Sequence, residues 1–191
     1  MKVIEAALPA AQAAWATTPA ARRGAAGERL VHEVLGAALD DNYTLIHNLF
    51  LPGGEGDVDA VVVGRRLLVL EIKTYAEGRP LRVTGLRWEY RDDDERWRPL
   101  DSAPSEQALA SGRRVSYALR SAGLPVYGVT AAVVLVGGAP CTLDGPRVPV
   151  VRPHEAVRLA RDGRPVAQSS WPLLAARALL TAASAGAAAM E

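Results

Sequence analysis

The sequence predicts a mixed α/β protein with one central β-sheet flanked by helices. Runs rich in β-branched residues and bounded by Gly and Pro alternate with longer segments whose apolar residues recur at three and four. Three such runs, at 43–51, 57–63 and 67–74, follow one another closely enough to be neighbouring strands. With 191 residues and 49% hydrophobic content, the chain can bury one proper core, so residues 1–191 read as a single domain. No repeat of fixed period divides it.

Residues 1–24 are alanine-rich with two prolines and read as a strand or short helix followed by an approach segment anchored by Trp15. From Gly27 the pattern turns helical: Leu30, Val31, Val34, Leu35, Ala38 and Leu39 share a stripe that ends before Asp40-Asp41-Asn42. Pro52-Gly53-Gly54 closes the first of the three strands. "LRVTGLRWEYRDDDERWRPL", from Leu81, alternates about an acidic turn and reads as a small antiparallel hairpin insert with Trp88, Tyr90 and Trp97 on one face. Asp101 and Ser102 near the cap, Pro104 in the first turn and Gly123 after the end mark a second helix reaching about residue 122. "YGVTAAVVLVGG" is a strand, and a loop leads to a short strand at 147–151. Helices at about 153–160 and 172–185 follow, the latter capped by Ser169 or Ser170, and the alanine-rich tail is expected to fray.

The charge is nearly balanced at +1, so any site for a polyanion is local; arginines are dense between Arg79 and Arg98 and at Arg113-Arg114. The single cysteine, Cys141, forms no internal disulfide and fits a reducing compartment. No run approaches the roughly 20 apolar residues of a membrane span, so the cytoplasm is the expected location. His32, His47 and His154 show no ligand spacing with Cys141 and read as structural. "PGGEGD" lacks both a Walker lysine and a following helix and reads as a turn.

The chemistry lies in "GEGDVDAVVVGRRLLVLEIKTY", Gly54 to Tyr75. Side chains alternate across a strand, so Asp57 and Asp59 share one face, as do Glu71 and Lys73 on the next strand. A three-residue loop at Gly64-Arg65-Arg66 opposes Val63 to Leu67, Asp59 to Glu71 and Asp57 to Lys73; a two-residue loop would turn Glu71 to the other side. The first register is predicted, and it brings the Asp59 and Glu71 β-carbons to about 5 Å. Two carboxylates about 4 Å apart repel by roughly 4 kcal/mol at an effective dielectric near 20. A bound divalent cation, a raised pKa on one acid, or pairing with Lys73 would each relieve this. Glu28 falls in angular register with Val31, Leu35 and Leu39. It is either a first-turn acid near the positive end of the helix dipole or a third carboxylate reaching the same site.

Gly27-Glu28 opening a helix, "GDVDAVVVG", "LLVLEIKTY" and a later "APSEQ" together resemble the nuclease-related domain, NERD, of the PD-(D/E)XK nuclease superfamily, over roughly residues 24–138. The resemblance implies a restriction-endonuclease-like αβββαβ core at 24–138, with residues 139–191 adding a C-terminal strand and helices. It implies a Mg2+- or Mn2+-dependent endonuclease hydrolysing phosphodiester bonds, with DNA the expected substrate. Carried over residue by residue, Glu28 is the helical acid, Asp59 the strand aspartate, Glu71 and Lys73 the Glu-x-Lys pair, and Gln107 the glutamine of the second helix. Asp59, Glu71 and the backbone carbonyl of Ile72 are the implied metal ligands. Read by itself, Gln107 shares a helix shoulder with Ser111 and Arg114, and Arg114 is a candidate phosphate contact. Arg87 and Arg91 on the hairpin are further candidate contacts, the competing reading being a hydrophobic cover. The alternative to an enzyme is a non-catalytic nuclease-fold module that binds nucleic acid or a protein partner. An enzyme of this size acting on duplex DNA would gain from pairing two sites in a homodimer.

Overall fold

The computed structural model describes residues 1–5, 18–53, 56–64, 66–75, 78–126, 128–162 and 170–188. In chain order its elements are β1 (Lys2–Glu5), α1 (Pro19–Ala38), β2 (Thr44–Leu49), β3 (Val58–Val63), β4 (Leu67–Thr74), β5 (Leu81–Thr84), β6 (Arg87–Arg91), β7 (Trp97–Pro99), α2 (Pro104–Ser121), β8 (Val129–Val136), β9 (Cys141–Asp144), β10 (Val150–Val151), α3 (Pro153–Arg161) and α4 (Trp171–Ala188). The fold is mixed α/β. Its main sheet runs β1-β2-β3-β4-β8-β10, antiparallel across β2-β3-β4 and parallel elsewhere.

Helices cover both faces of this sheet, which is why β3 and β4 read as continuous apolar runs rather than alternating ones. On one face Val31 and Leu35 of α1 and Ala156 of α3 pack on Leu68, Leu70 and Val134. On the other, Val115 and Leu119 of α2 and Leu179 of α4 pack on Val61, Val63 and Val69. The even-numbered residues of β4 therefore face α1, and the odd-numbered ones, Glu71 and Lys73 among them, share the α2 side.

Helix α1 begins at Pro19, eight residues before the expected Gly27 start. Thr18 Oγ1 accepts the Ala21 N–H at 3.1 Å, and Pro19 occupies the first turn. "PAARRGAA" carries no apolar stripe, but alanine and arginine are strong helix formers, and the cap suffices to start the helix there. Glu28 thus lies in the third turn, which removes the reading of it as a first-turn acid on the helix dipole.

The insert is also larger than expected. Strand β9, read from the sequence as loop because "CTLD" is short and flanked by Pro and Gly, pairs in parallel with β5 and completes a second sheet ordered β7-β6-β5-β9. Trp97 stands opposite Arg91, on the other face from Trp88 and Tyr90, so the three aromatics do not share a face. Trp88 instead anchors this sheet to α2 through Nε1, which donates to Ser105 Oγ at 2.8 Å. Trp97 stacks under the Arg82 guanidinium, 4.5 Å from the ring centroid. Of the short strand expected at 147–151, only Val150–Val151 is extended. Ser170 accepts the Leu174 N–H where α4 opens. Trp15, Ser169 and the end of the tail lie outside the described residues. No described helix is long and apolar enough to cross a membrane.

Candidate active site

Strands β3 and β4 pair with Val63 opposite Leu67 and Ala60 opposite Leu70, and one further step in that register sets Asp59 opposite Glu71. This is the register expected of a three-residue loop, in which the Gly64 N–H bonds the Arg66 carbonyl. Both acids line a cleft of about 1400 Å³ across the strand ends, between α1 and α2. Glu28, Asp57, Lys73, Gln107 and Arg114 line the same cleft, so the structure brings together every acid singled out in the sequence.

Glu71 is buried, and its Oε1 lies 2.7 Å from Lys73 Nζ. Asp59 Oδ2 accepts the Ile72 backbone N–H at 2.6 Å. Burial, and then the nearby Glu71 charge, push the Asp59 carboxyl well above its ordinary range. Glu28 is raised in the same sense by burial and by Asp57. Burial works against the Lys73 ammonium, but Glu71 beside it, together with Asp59 and Tyr75, outweighs that and holds the lysine charged. Glu28, Asp57, Asp59 and Glu71 thus crowd four carboxyl groups around one lysine. Two of the three reliefs open to the Asp59–Glu71 pair are visible here: a raised pKa and the Lys73 ion pair. Among the described residues, no three His, Cys, Asp or Glu side chains are close enough to hold a metal ion together.

The approach of α1 to the sheet depends on Gly27. A β-carbon there would stand 1.9 Å from Thr74 Oγ1, so glycine lets the helix that carries Glu28 approach the strand ends without displacing Thr74. On α2, Gln107 is exposed at the rim, and its side chain makes no hydrogen bond with the described residues. Arg114 donates to the carbonyls of Gly56 at 2.8 Å and Asp57 at 3.2 Å and to Ser111 Oγ at 3.2 Å, and so holds the segment leading into β3. Arg87 and Arg91 lie on β6 in the second sheet and do not line the cleft. Arg87 pairs with the buried Glu89 at 2.7 Å and Arg91 with Glu95 at 3.3 Å.

Three features of the cleft escaped the sequence reading. His32 and His47, read separately as structural, meet with ring centroids 4.4 Å apart. The signal was available, since His32 follows Glu28 by one helical turn. Burial and His47 push His32 down to about 4. Asn48 lines the cleft with φ 53, a left-handed conformation that asparagine tolerates, at the step of the β2–β3 register that faces Asp59. Arg113 and Tyr117 share the cleft face of α2 with Ala110 and Arg114.

No curated protein and no solved structure matches the chain. Residues 23–136 match the nuclease-related domain, NERD, and since that span covers more than half of the 191 residues and contains Glu28, Asp59, the Glu71–Lys73 pair and Gln107, the chain belongs to this family of nuclease-related proteins.

Proposed function

We propose that the cleft hydrolyses phosphodiester bonds in nucleic acid, DNA foremost, with the help of a divalent cation. The observation that carries the proposal is the convergence of Asp59, the Glu71–Lys73 pair and Glu28, from two adjoining strands and one helix, at one end of an open cleft. On this reading the order α1-β2-β3-β4-α2-β8 is a restriction-endonuclease-like core, and α3 and α4 buttress it.

The donor set fits Mg2+ or Mn2+. Such hard ions take oxygen ligands, accept one or two carboxylates, and leave other positions to water and substrate phosphate. Asp59 and Glu71 supply the carboxylates, and the high Asp59 pKa marks a crowded negative charge that a cation would relieve. The Ile72 N–H points toward β3, and in a strand the carbonyl of a residue leaves on the same side as its N–H, so the Ile72 oxygen would be the third ligand. When bound, the cation supplies Lewis-acid activation of the phosphate and lowers the pKa of water.

The protein's own groups do the rest. Lys73, held protonated by Glu71, offers positive charge to the phosphate oxygens as they gain charge in the transition state. Glu28 orients the attacking water from the helix side and accepts its proton; its raised pKa suits a general base. Gln107 contacts the phosphate from the rim, while Arg114 shapes the floor by fixing the Gly56–Asp57 carbonyls.

A second reading, a binding module without catalysis, is favoured by one observation: Glu71 is satisfied by Lys73. The two separate on thermal stability and turnover. An enzyme is expected to melt higher with Mg2+ or Mn2+, because an ion bound only by the native state stabilises it, and to cleave members of a panel of DNA and RNA forms. An unchanged melting point together with an intact panel would sink the hydrolytic reading.

A further inference from the structure

We propose that the α2 wall of the cleft is a stacking platform for an unpaired nucleotide, Tyr117 taking the base and Arg113 an adjoining phosphate, so that the ligand is a single strand rather than an intact duplex. This rests on the reading of the cleft as a nucleic-acid site and specifies its substrate class.

Tyr117 is 71% exposed, the most exposed large hydrophobic side chain in the described structure, and it lines the cleft. Arg113 precedes it by four residues, so the two are neighbours on one helical stripe. Neither makes a hydrogen bond, ion pair or ring contact with the described residues. That contrasts with Arg114 next door, whose guanidinium holds three oxygens of the protein. Across the cleft, α1 offers Arg29, exposed and likewise unpaired among the described residues. The charges differ in exposure: Glu28, Asp57, Asp59 and Glu71 are half-buried or buried, while Arg29 and Arg113 are exposed. A polyanion is held first by the exposed arginines and reaches the buried acids only where a cation neutralises them.

An exposed aromatic beside an arginine is the pairing by which proteins bind single strands: the ring stacks on a base and the cation takes the backbone. In a duplex both faces of each base are covered by neighbouring bases, and a tyrosine on a helix flank has no face to stack on. Burial gives this ring no structural task, since most of it remains in water.

The test is binding of fluorescent oligo(dT), oligo(rU) and a hairpin duplex, followed by anisotropy. Ca2+ replaces Mg2+, because the same oxygen ligands accept it, and the oligonucleotides are checked on a gel to be intact. The full chain is expected to bind a single strand more tightly than the duplex, the better of the two oligomers identifying the sugar. Tyr117→Ala should weaken that binding by about tenfold and leave duplex binding within about twofold, while Tyr117→Phe keeps the affinity. Arg113→Ala should weaken binding and flatten its salt dependence. Tyr117→Ala that binds the strand like the unaltered protein, or that weakens strand and duplex alike, overturns the inference. Metal-dependent cleavage accompanied by either result ends this inference alone, whereas Tyr117-dependent strand binding without any cleavage upholds it and ends only the hydrolytic reading.

Discussion

Asp59 Oδ2 accepts the backbone N–H of Ile72 at 2.6 Å, so a side chain on one strand takes a backbone donor of the next beyond the last regular pair, Ala60 with Leu70. The same carboxylate therefore has two duties, one in the fold and one in the proposed chemistry.

Substitutions at Asp59 separate these duties. Asp59→Ala removes the acceptor and leaves a buried N–H unsatisfied, which costs about 1–3 kcal/mol in urea unfolding. Asp59→Asn keeps an acceptor and removes a charge that Glu71 and burial both oppose, so its stability should match or exceed that of the unaltered protein. Both should lose metal-dependent cleavage. An Asp59→Asn protein as unstable as Asp59→Ala would show that the hydrogen bond is not the structural contribution.

The Glu71–Lys73 pair gives a second prediction. The Glu71 side chain is 8% exposed and that of Lys73 27%, so Lys73→Met strands a buried carboxylate and should cost about 3 kcal/mol, the lower end for breaking a buried pair. Glu71→Gln should cost less, and the double variant should recover part of the loss. Urea unfolding of the four proteins gives the coupling directly, and additive losses would mean that the two groups do not depend on each other. Cleavage should vanish in both single variants.

Acidification should destabilise the protein through His32. Its folded-state pKa, lowered to about 4 by burial and His47, lies below the ordinary 6.5, so between these values the unfolded chain binds the proton and the folded chain does not. Stability therefore rises with pH across that window, is complete above about 6.5, and is lost as pH falls toward 4. The groups facing His32 include His47 and Glu5, and Glu5 acts in the opposite sense. The melting point measured from pH 7 down to pH 4 should fall more steeply than in His32→Gln. Parallel profiles would remove His32 as the cause.

Gly27→Ala tests how α1 reaches the sheet. The new β-carbon would meet Thr74 Oγ1 at 1.9 Å, so either the Thr74 side chain turns or the helix shifts, the latter carrying Glu28 from the strand ends. A loss of about 1–3 kcal/mol, the usual range for overpacking, should accompany a fall in cleavage. Thr74 Oγ1 is buried without a hydrogen-bond partner among the described residues, so Thr74→Ala should be tolerated alone and should partly rescue Gly27→Ala, the Thr74 β-carbon still lying 3.3 Å away. An absence of rescue would place the strain elsewhere.

Much of the architecture, and which acids meet in the candidate site, were legible in the residues. Strand β4 was expected at 67–74 and is found at Leu67–Thr74, because its apolar run lies between unambiguous breaks. The β3–β4 register is the one expected of a three-residue loop, Val63 opposite Leu67, rather than the two-residue alternative that would have turned Glu71 away from Asp59. Helix α1 was the opposite case. Its first eight residues carry no apolar stripe and none of them is buried, so periodicity could not see them. Strand β9 was hidden for a related reason: four residues between Pro and Gly become a strand only when β5 supplies a partner.

The sequence by itself determined which groups meet in the candidate site, because period-two alternation and a three-residue loop place Asp59, Glu71 and Lys73 on one face without any knowledge of the rest. Only the tertiary structure decided what surrounds them. That Arg114 serves the protein's own carbonyls while Arg113 and Tyr117 stand free on the wall, that His32 meets His47, and that Arg87 and Arg91 belong to another sheet are outcomes of packing between distant segments. Local spacing constrains the direction of a side chain, but what it meets is settled by elements far away in the chain.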